Sequence, residues 1–129
     1  MRPPLSSGAR RYNLGVADCL FCGIADGDIP AKRVRESPRT ISFRDINPQA
    51  PIHVLVIPKE HYADFAAVAE AGSGLLEEMA SQAHGVAVAE GIAESGYRVV
   101  FNTGRAAGQT VPHAHAHVIG GRPLTWPPG

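Results

Sequence analysis

The segment "GQTVPHAHAHVIGG" places His113, His115 and His117 at strict two-residue spacing, with Ala114 and Ala116 between them. A period of two belongs to an extended strand, whose successive side chains face opposite ways. The three imidazoles then share one face, about 6.5–7 Å from one to the next. Ala114, Ala116 and Val118 share the other, where small side chains let a helix pack closely. Imidazoles are a poor choice for an anonymous core, so the histidine face calls for chemistry. The pattern predicts a last strand over 113–121.

Two chemistries compete for that face. His-x-His on a strand is a familiar zinc arrangement. The outer pair would be about 13 Å apart at the backbone, so two of these rings could share an ion but three converge poorly. The other chemistry is nucleophilic attack at phosphorus. A neutral imidazole nitrogen attacks near pH 7 and forms a phosphorus–nitrogen bond that water later breaks. "AAGQT" stands where backbone N–H donors would be needed for the charge that develops on phosphorus.

The rest of the chain predicts one small α+β domain. Its 129 residues suffice for one core and not for two. "DCLFCGIADGDIP" reads as a short helix with Asp18 as N-cap, ending near Gly27 before Pro30. "RTISFRD" and "IHVLVIP" read as strands around the turn "INPQAP". A short helix follows at Asp64–Ala69. Beyond Gly72, Leu75, Leu76, Met79, Ala83, Val86 and Ala87 recur at helical spacing, predicting a long amphipathic helix from about Ser73 that Gly96 ends. "YRVVFN" is a strand and "TGRAAGQTVP" a loop. Strands adjacent in sequence, with a helical insertion, suggest a mostly antiparallel meander.

Lysine plus arginine equals aspartate plus glutamate, 12 against 12, which gives no electrostatic footprint for nucleic acid or an anionic membrane. Any bound phosphate must be held by a local site. No apolar run reaches the length of a membrane span, and the basic opening lacks the apolar segment of a secretory signal. Residues 1–16 read as a mobile tail before a domain over 17–129. The only cysteines, Cys19 and Cys22, are too close together to staple a fold, and a cytoplasmic location is the expectation.

"HAHAHVI" resembles the signature of the histidine triad (HIT) superfamily, three histidines alternating with apolar residues. "FRDINPQAPIHVLVIPKEH", "GYRVVFNTGRAAGQTVPHAHAHVIGGR" and the terminal "WPPG" are similar to its histidine triad nucleotide-binding (HINT) branch, from about Cys19 to Gly129. The resemblance implies a five-stranded sheet with one long and one or two short helices. It also implies a homodimer in which two sheets join into a ten-stranded one, with the long helix and the Tyr97–Asn102 strand at the interface. The implied activity is hydrolysis of the P–N bond in adenosine or guanosine 5′-phosphoramidates and related adenylates, through a nucleotidyl-histidine and with no cofactor required for catalysis.

By the same resemblance His115 is the nucleophile, His117 contacts phosphate oxygens, and His113 assists through hydrogen bonding. His53 is the fourth histidine, orienting the nucleophile through a relay. Asp45 would take the ribose hydroxyls, and Phe21, Ile24, Ile29, Phe43 and Ile46 would form the base slot. Asn102, Gly108, Gln109 and Thr110 match the loop around the α-phosphate. Trp126 would reach the partner's leaving-group side. Asp45 alone could equally cap a turn, and the apolar residues would be core in any fold. Two departures stand out: Ala114 and Ala116 are smaller than the residues usual between the histidines, and Ala107 replaces a common loop glycine.

"CLFC" alone is compatible with a redox pair, a metal half-site or plain buried thiols. Some histidine triad proteins combine such a pair with two histidines around a structural zinc; the matching positions are His61 and His113. If zinc binds, His113 is a ligand and cannot also donate a proton. Dinucleoside polyphosphate hydrolysis or nucleotidyl transfer is the alternative enzyme reading, and a purine-nucleotide-binding interaction module the alternative outside enzymes.

Overall fold

The computed structural model describes residues 19–129, so the expected tail over 1–16 and the Asp18 cap lie outside the described residues. The chain runs α1 (Leu20–Asp26), β1 (Arg33–Glu36), β2 (Thr40–Arg44), β3 (Ile52–Pro58), α2 (Phe65–Ala71), α3 (Leu75–Ala89), β4 (Tyr97–Val100) and β5 (Ala116–Gly120), with a 3₁₀ turn at Arg105–Ala107. The five strands form one sheet of order β1-β2-β3-β5-β4, antiparallel at every junction. It is not a pure meander. Helices α2 and α3 carry the chain across one face to the far side, and β5 folds back into the slot between β3 and β4.

Alternation along β3 and the β5 segment divides the core in two. Val54, Val56, Ala114, Ala116 and Val118 pack with Leu75, Met79, Ala83 and Val86 of α3. Leu55 and Ile57, with Ile41 and Phe43 of β2, pack on the opposite side with Phe21, Cys22 and Ile24 of α1. Alanine between the histidines is what the close approach of α3 requires. Leu55 pairs with His117 and His53 with Ile119. Directly opposed residues share a face, so His53 and His117 become diagonal neighbours on the α1 side.

Several boundaries differ from the sequence reading. Cys19 caps α1, its sulfur accepting from the Cys22 amide at 3.3 Å. The long helix stops at Ala89 rather than near Gly96. The Gly91 N–H bonds Val88 O at 3.1 Å and the Ile92 N–H bonds Ala87 O at 3.0 Å, closing the helix with Gly91 left-handed at φ 77° and Ile92 tucked into the core. Gly96 opens β4 instead. The last strand begins at Ala116, because Pro58 ends β3 and has no amide to offer. Its carbonyl bonds the His113 ring, and the Ala114 amide turns to Tyr62 O at 2.7 Å. The edge strand β1 had no forecast; Val34 is its only apolar residue.

Candidate active site

A cleft of about 480 Å³ opens on the α1 side of the sheet, a size that suits a small organic ligand. Phe21, Ile24, Ile29 and Phe43 form its apolar end, and Asp45, His53, His115 and His117 its polar end. Phe21 meets the His115 ring edge to face, centroids 5.1 Å apart, and meets Phe43 the same way at 5.5 Å.

The hydrogen bonds of the neutral rings determine where each proton sits. His115 Nδ1 lies 2.7 Å from the His113 carbonyl. A carbonyl only accepts, so Nδ1 carries the hydrogen and Nε2 keeps a bare lone pair. The Gln49 amide donates to His53 Nδ1 at 3.0 Å, so the His53 proton is on Nε2. That N–H points at His117 Nδ1, 2.9 Å away, with Asp45 Oδ2 beside it at 3.4 Å. His117 must accept at Nδ1 and therefore carries its hydrogen on Nε2. Among the described residues, that atom is the buried side-chain nitrogen with no hydrogen-bond partner. The cleft thus presents one nucleophilic nitrogen and one unused donor on neighbouring rings, whose centroids are 5.0 Å apart.

Burial keeps these rings neutral. It pulls His117 down to about 4, helped by the proximity of His115 and His53. It also lowers His115, with the bond to the His113 carbonyl opposing, and lowers His53 against the pull of the Asp45 carboxylate. Only the unprotonated rings provide the lone pair and the ordered donors. We expect kcat/KM to hold as the pH falls from about 8 and to break only below about pH 6.5, where a free histidine is half protonated. A pH–rate profile breaking at about 6.5 would contradict this.

A second cluster lies on the same face next to α1. His113 is fully buried, and its Nε2 donates to Pro58 O at 2.9 Å, leaving a lone pair on Nδ1. That nitrogen is 3.3 Å from Cys19 Sγ and 3.5 Å from Cys22 Sγ, and His61 Nδ1 is 3.3 Å from Cys22 Sγ. A tetrahedral zinc separates its sulfur and nitrogen ligands by about 3.5 Å. The Cys19 thiol is held well below its usual range, chiefly by its hydrogen bond with the Cys22 side chain and then by His113, against the opposing effect of burial. Two sulfurs, two nitrogens and a backbone carbonyl fixing one tautomer fit a structural metal. Asp45, His53 and His117 are also mutually close. There the Gln49 amide places a hydrogen on His53 Nε2, which makes the group a hydrogen-bonded chain rather than a ligand set.

His53 bonds His117, while the His115 ring is oriented by the His113 carbonyl. Asp45 does cap a turn, accepting the Asn47 amide at 2.8 Å, while its other oxygen remains at the cleft. Thr110 lines the cleft, as does Ile46, which at 98% exposure is a lip rather than a wall. Asn102, Gly108 and Gln109 are not among its walls. The Gln109 side chain ties its loop to the segment before α2: its Nε2 donates to Ala63 O and Val111 O, and its Oε1 accepts from the Gly104 amide. Trp126 is 82% exposed, away from the cleft. The sequence reading missed Gln49, which acts through its backbone. The Asp45-to-Asn47 spacing just before Pro48, a turn signature, was the available signal.

The chain belongs to the HIT family, whose domain matches residues 26–124. A HIT-like protein of Synechococcus elongatus, itself uncharacterized, is 46% identical over 112 residues, 87% of this chain and 97% of that one. The crystal structure of a HIT family hydrolase from Legionella pneumophila superposes with a TM-score of 0.83 at 51% identity, covering 87% of this chain and all (100%) of the other. A histidine triad nucleotide-binding protein from Candida albicans gives 0.72 at 34% identity, over 78% of this chain and 73% of that one. Among the described residues, no helix is long and apolar enough to cross a membrane.

Proposed function

We propose that the chain hydrolyses purine nucleoside phosphoramidates. The observation that carries this reading is the pair of atoms at the polar end of the cleft: the His115 Nε2 lone pair and the unpartnered His117 Nε2–H. The names of the Legionella and Candida relatives, a hydrolase and a nucleotide-binding protein, support the class. His115 attacks the α-phosphorus, the P–N bond breaks with its electron pair on nitrogen, and the amine departs with a proton taken from solvent, which the water of the second step gives back. Water then attacks the nucleotidyl-histidine, giving a nucleoside monophosphate and returning the lone pair, so each cycle consumes one water. His117 donates to a phosphate oxygen as charge builds there. Asp45 takes the ribose hydroxyls, and Phe21, Ile24, Ile29 and Phe43 sandwich the base.

A zinc held by Cys19, Cys22, His61 and His113 is part of the proposal. When bound it would tie α1, and with it Phe21, to the sheet. A homodimer joined through β4 is the assembly we favour, since β4 is an edge of the sheet and Val99 on it and Val88 on α3 are exposed. Rates on adenosine 5′-phosphoramidate and on diadenosine polyphosphates, measured side by side, test the activity. The phosphoramidate should turn over at least about tenfold faster. Faster polyphosphate cleavage would replace this reading with the nucleotidyl-transfer one.

A further inference from the structure

The "GGR" that follows the histidines has a use in the geometry. At Gly120 a Cβ would stand 2.7 Å from Ile92 Cδ1 and 3.2 Å from Gly96 O. At Gly121, with φ +91°, it would stand 3.0 Å from Pro51 Cβ. The chain therefore leaves β5 flush against the start of β3 and turns left-handed there, as glycine allows. That turn delivers Arg122 to the β2–β3 loop. Its Nη2 donates to Gln49 O at 3.0 Å and its Nη1 to Pro123 O at 3.0 Å. From inside, the loop is held by Asp45 on the Asn47 amide at 2.8 Å and by the Gln49 side chain on Asn47 O at 3.0 Å. Gln49 is the residue whose amide fixes the His53 tautomer.

We propose that Arg122 is a positioning residue for the histidine relay, pinning the Gln49 main chain so that its amide stays on His53 Nδ1. A neutral imidazole can carry its hydrogen on either nitrogen, and the partner decides which. If the Gln49 amide drifts away, nothing reserves Nδ1 and only Asp45 Oδ2, 3.4 Å from Nε2, still favours hydrogen there, so part of the population can hold it on Nδ1. His53 Nε2 then accepts, His117 must donate from Nδ1, and His117 Nε2 turns a lone pair toward the cleft. A lone pair there repels the phosphate oxygens that the donor would have stabilised. An exposed guanidinium thus decides, through three linked hydrogen bonds, which kind of atom the site offers. The consequence for rate rests on the proposed function; the consequence for the rings does not.

The test is long-range proton–nitrogen NMR of the histidine rings in the full chain at neutral pH, with steady-state kinetics on adenosine 5′-phosphoramidate. In the wild type, His53 and His117 should both report hydrogen on Nε2. In Arg122→Ala both should shift toward mixed tautomers, with kcat down roughly fivefold, the scale of one modest hydrogen bond, and KM within about twofold. Arg122→Lys, which can still donate to Gln49 O, should restore much of both. Arg98→Ala, which frees the same C-terminal segment at Thr125 O, should leave the ring spectra as in the wild type. Unchanged tautomers in Arg122→Ala overturn the proposal, as do altered tautomers with unchanged kcat. If the wild type hydrolyses no phosphoramidate, the proposed function fails by itself, and the spectra still decide whether Arg122 sets the rings.

Discussion

Replacing His115 by alanine should lower kcat/KM for adenosine 5′-phosphoramidate by about 10⁴-fold or more, the scale on which removing a catalytic nucleophile acts. No neighbour can substitute. The His53 lone pair is occupied by the Gln49 amide, the His117 lone pair by His53, and the His113 lone pair faces the two sulfurs. Binding should survive, because the apolar slot and Asp45 stay in place; calorimetric titration with AMP should give an affinity within about threefold of the wild type. The ring is 8% exposed and borders the cleft, so truncating it opens the cleft more than it voids the core. A melting temperature within a few degrees is therefore expected, roughly a 1 kcal/mol effect. A variant that keeps more than about a tenth of the activity would remove His115 from the role of nucleophile.

The second large effect concerns the cysteine pair. The purified chain should carry zinc at one equivalent, and Cys22→Ala should abolish its retention. Cys22 is fully buried, within reach of both His61 and His113. Losing the ion would leave α1 held by its apolar contacts and by the Arg33 guanidinium on Ile24 O. A loss of about 3–5 kcal/mol, well below what zinc contributes to domains that cannot fold without it, would lower the melting temperature by about 10–20 °C. Chelation of the wild type should reproduce the shift, and zinc should reverse it. Because Phe21 packs on both His113 and His115, with centroids at 5.9 and 5.1 Å, activity should fall along with stability. A metal-free chain that melts where the zinc-loaded one does would exclude the structural role.

How much of this the sequence carried depended on whether side chains or backbone did the work. "IHVLVIP" was legible as a strand because it is buried on both faces, and α3 because its apolar stripe repeats at helical spacing. The split of the β5 segment into a histidine face and an alanine face followed from the period of two. The edge strand β1 was silent because an edge needs few apolar residues. The end of α3 was misplaced because two glycines competed, and the choice fell to Ile92, whose burial draws the chain inward at Gly91. The direct partner of His53 was open for a similar reason. His53 looks equivalent for His115 and His117 in sequence, and only the β3–β5 register makes it a neighbour of His117. Gln49 and the His113 carbonyl act through main-chain atoms, which their own residue types do not announce; only the turn residues Asp45, Asn47 and Pro48 hinted at the Gln49 amide.

The proposed activity requires a covalent link between His115 Nε2 and the nucleotide's α-phosphorus, and trapping that link tests it without an intermediary. The chain should be mixed with a slowly released phosphoramidate, quenched in base to protect the P–N bond, and digested for mass spectrometry. One nucleotidyl group on the peptide containing "HAHAHVI", localised to His115 and lost on longer incubation, is the predicted result. Label on a different residue, or turnover with no label at any time, would contradict it.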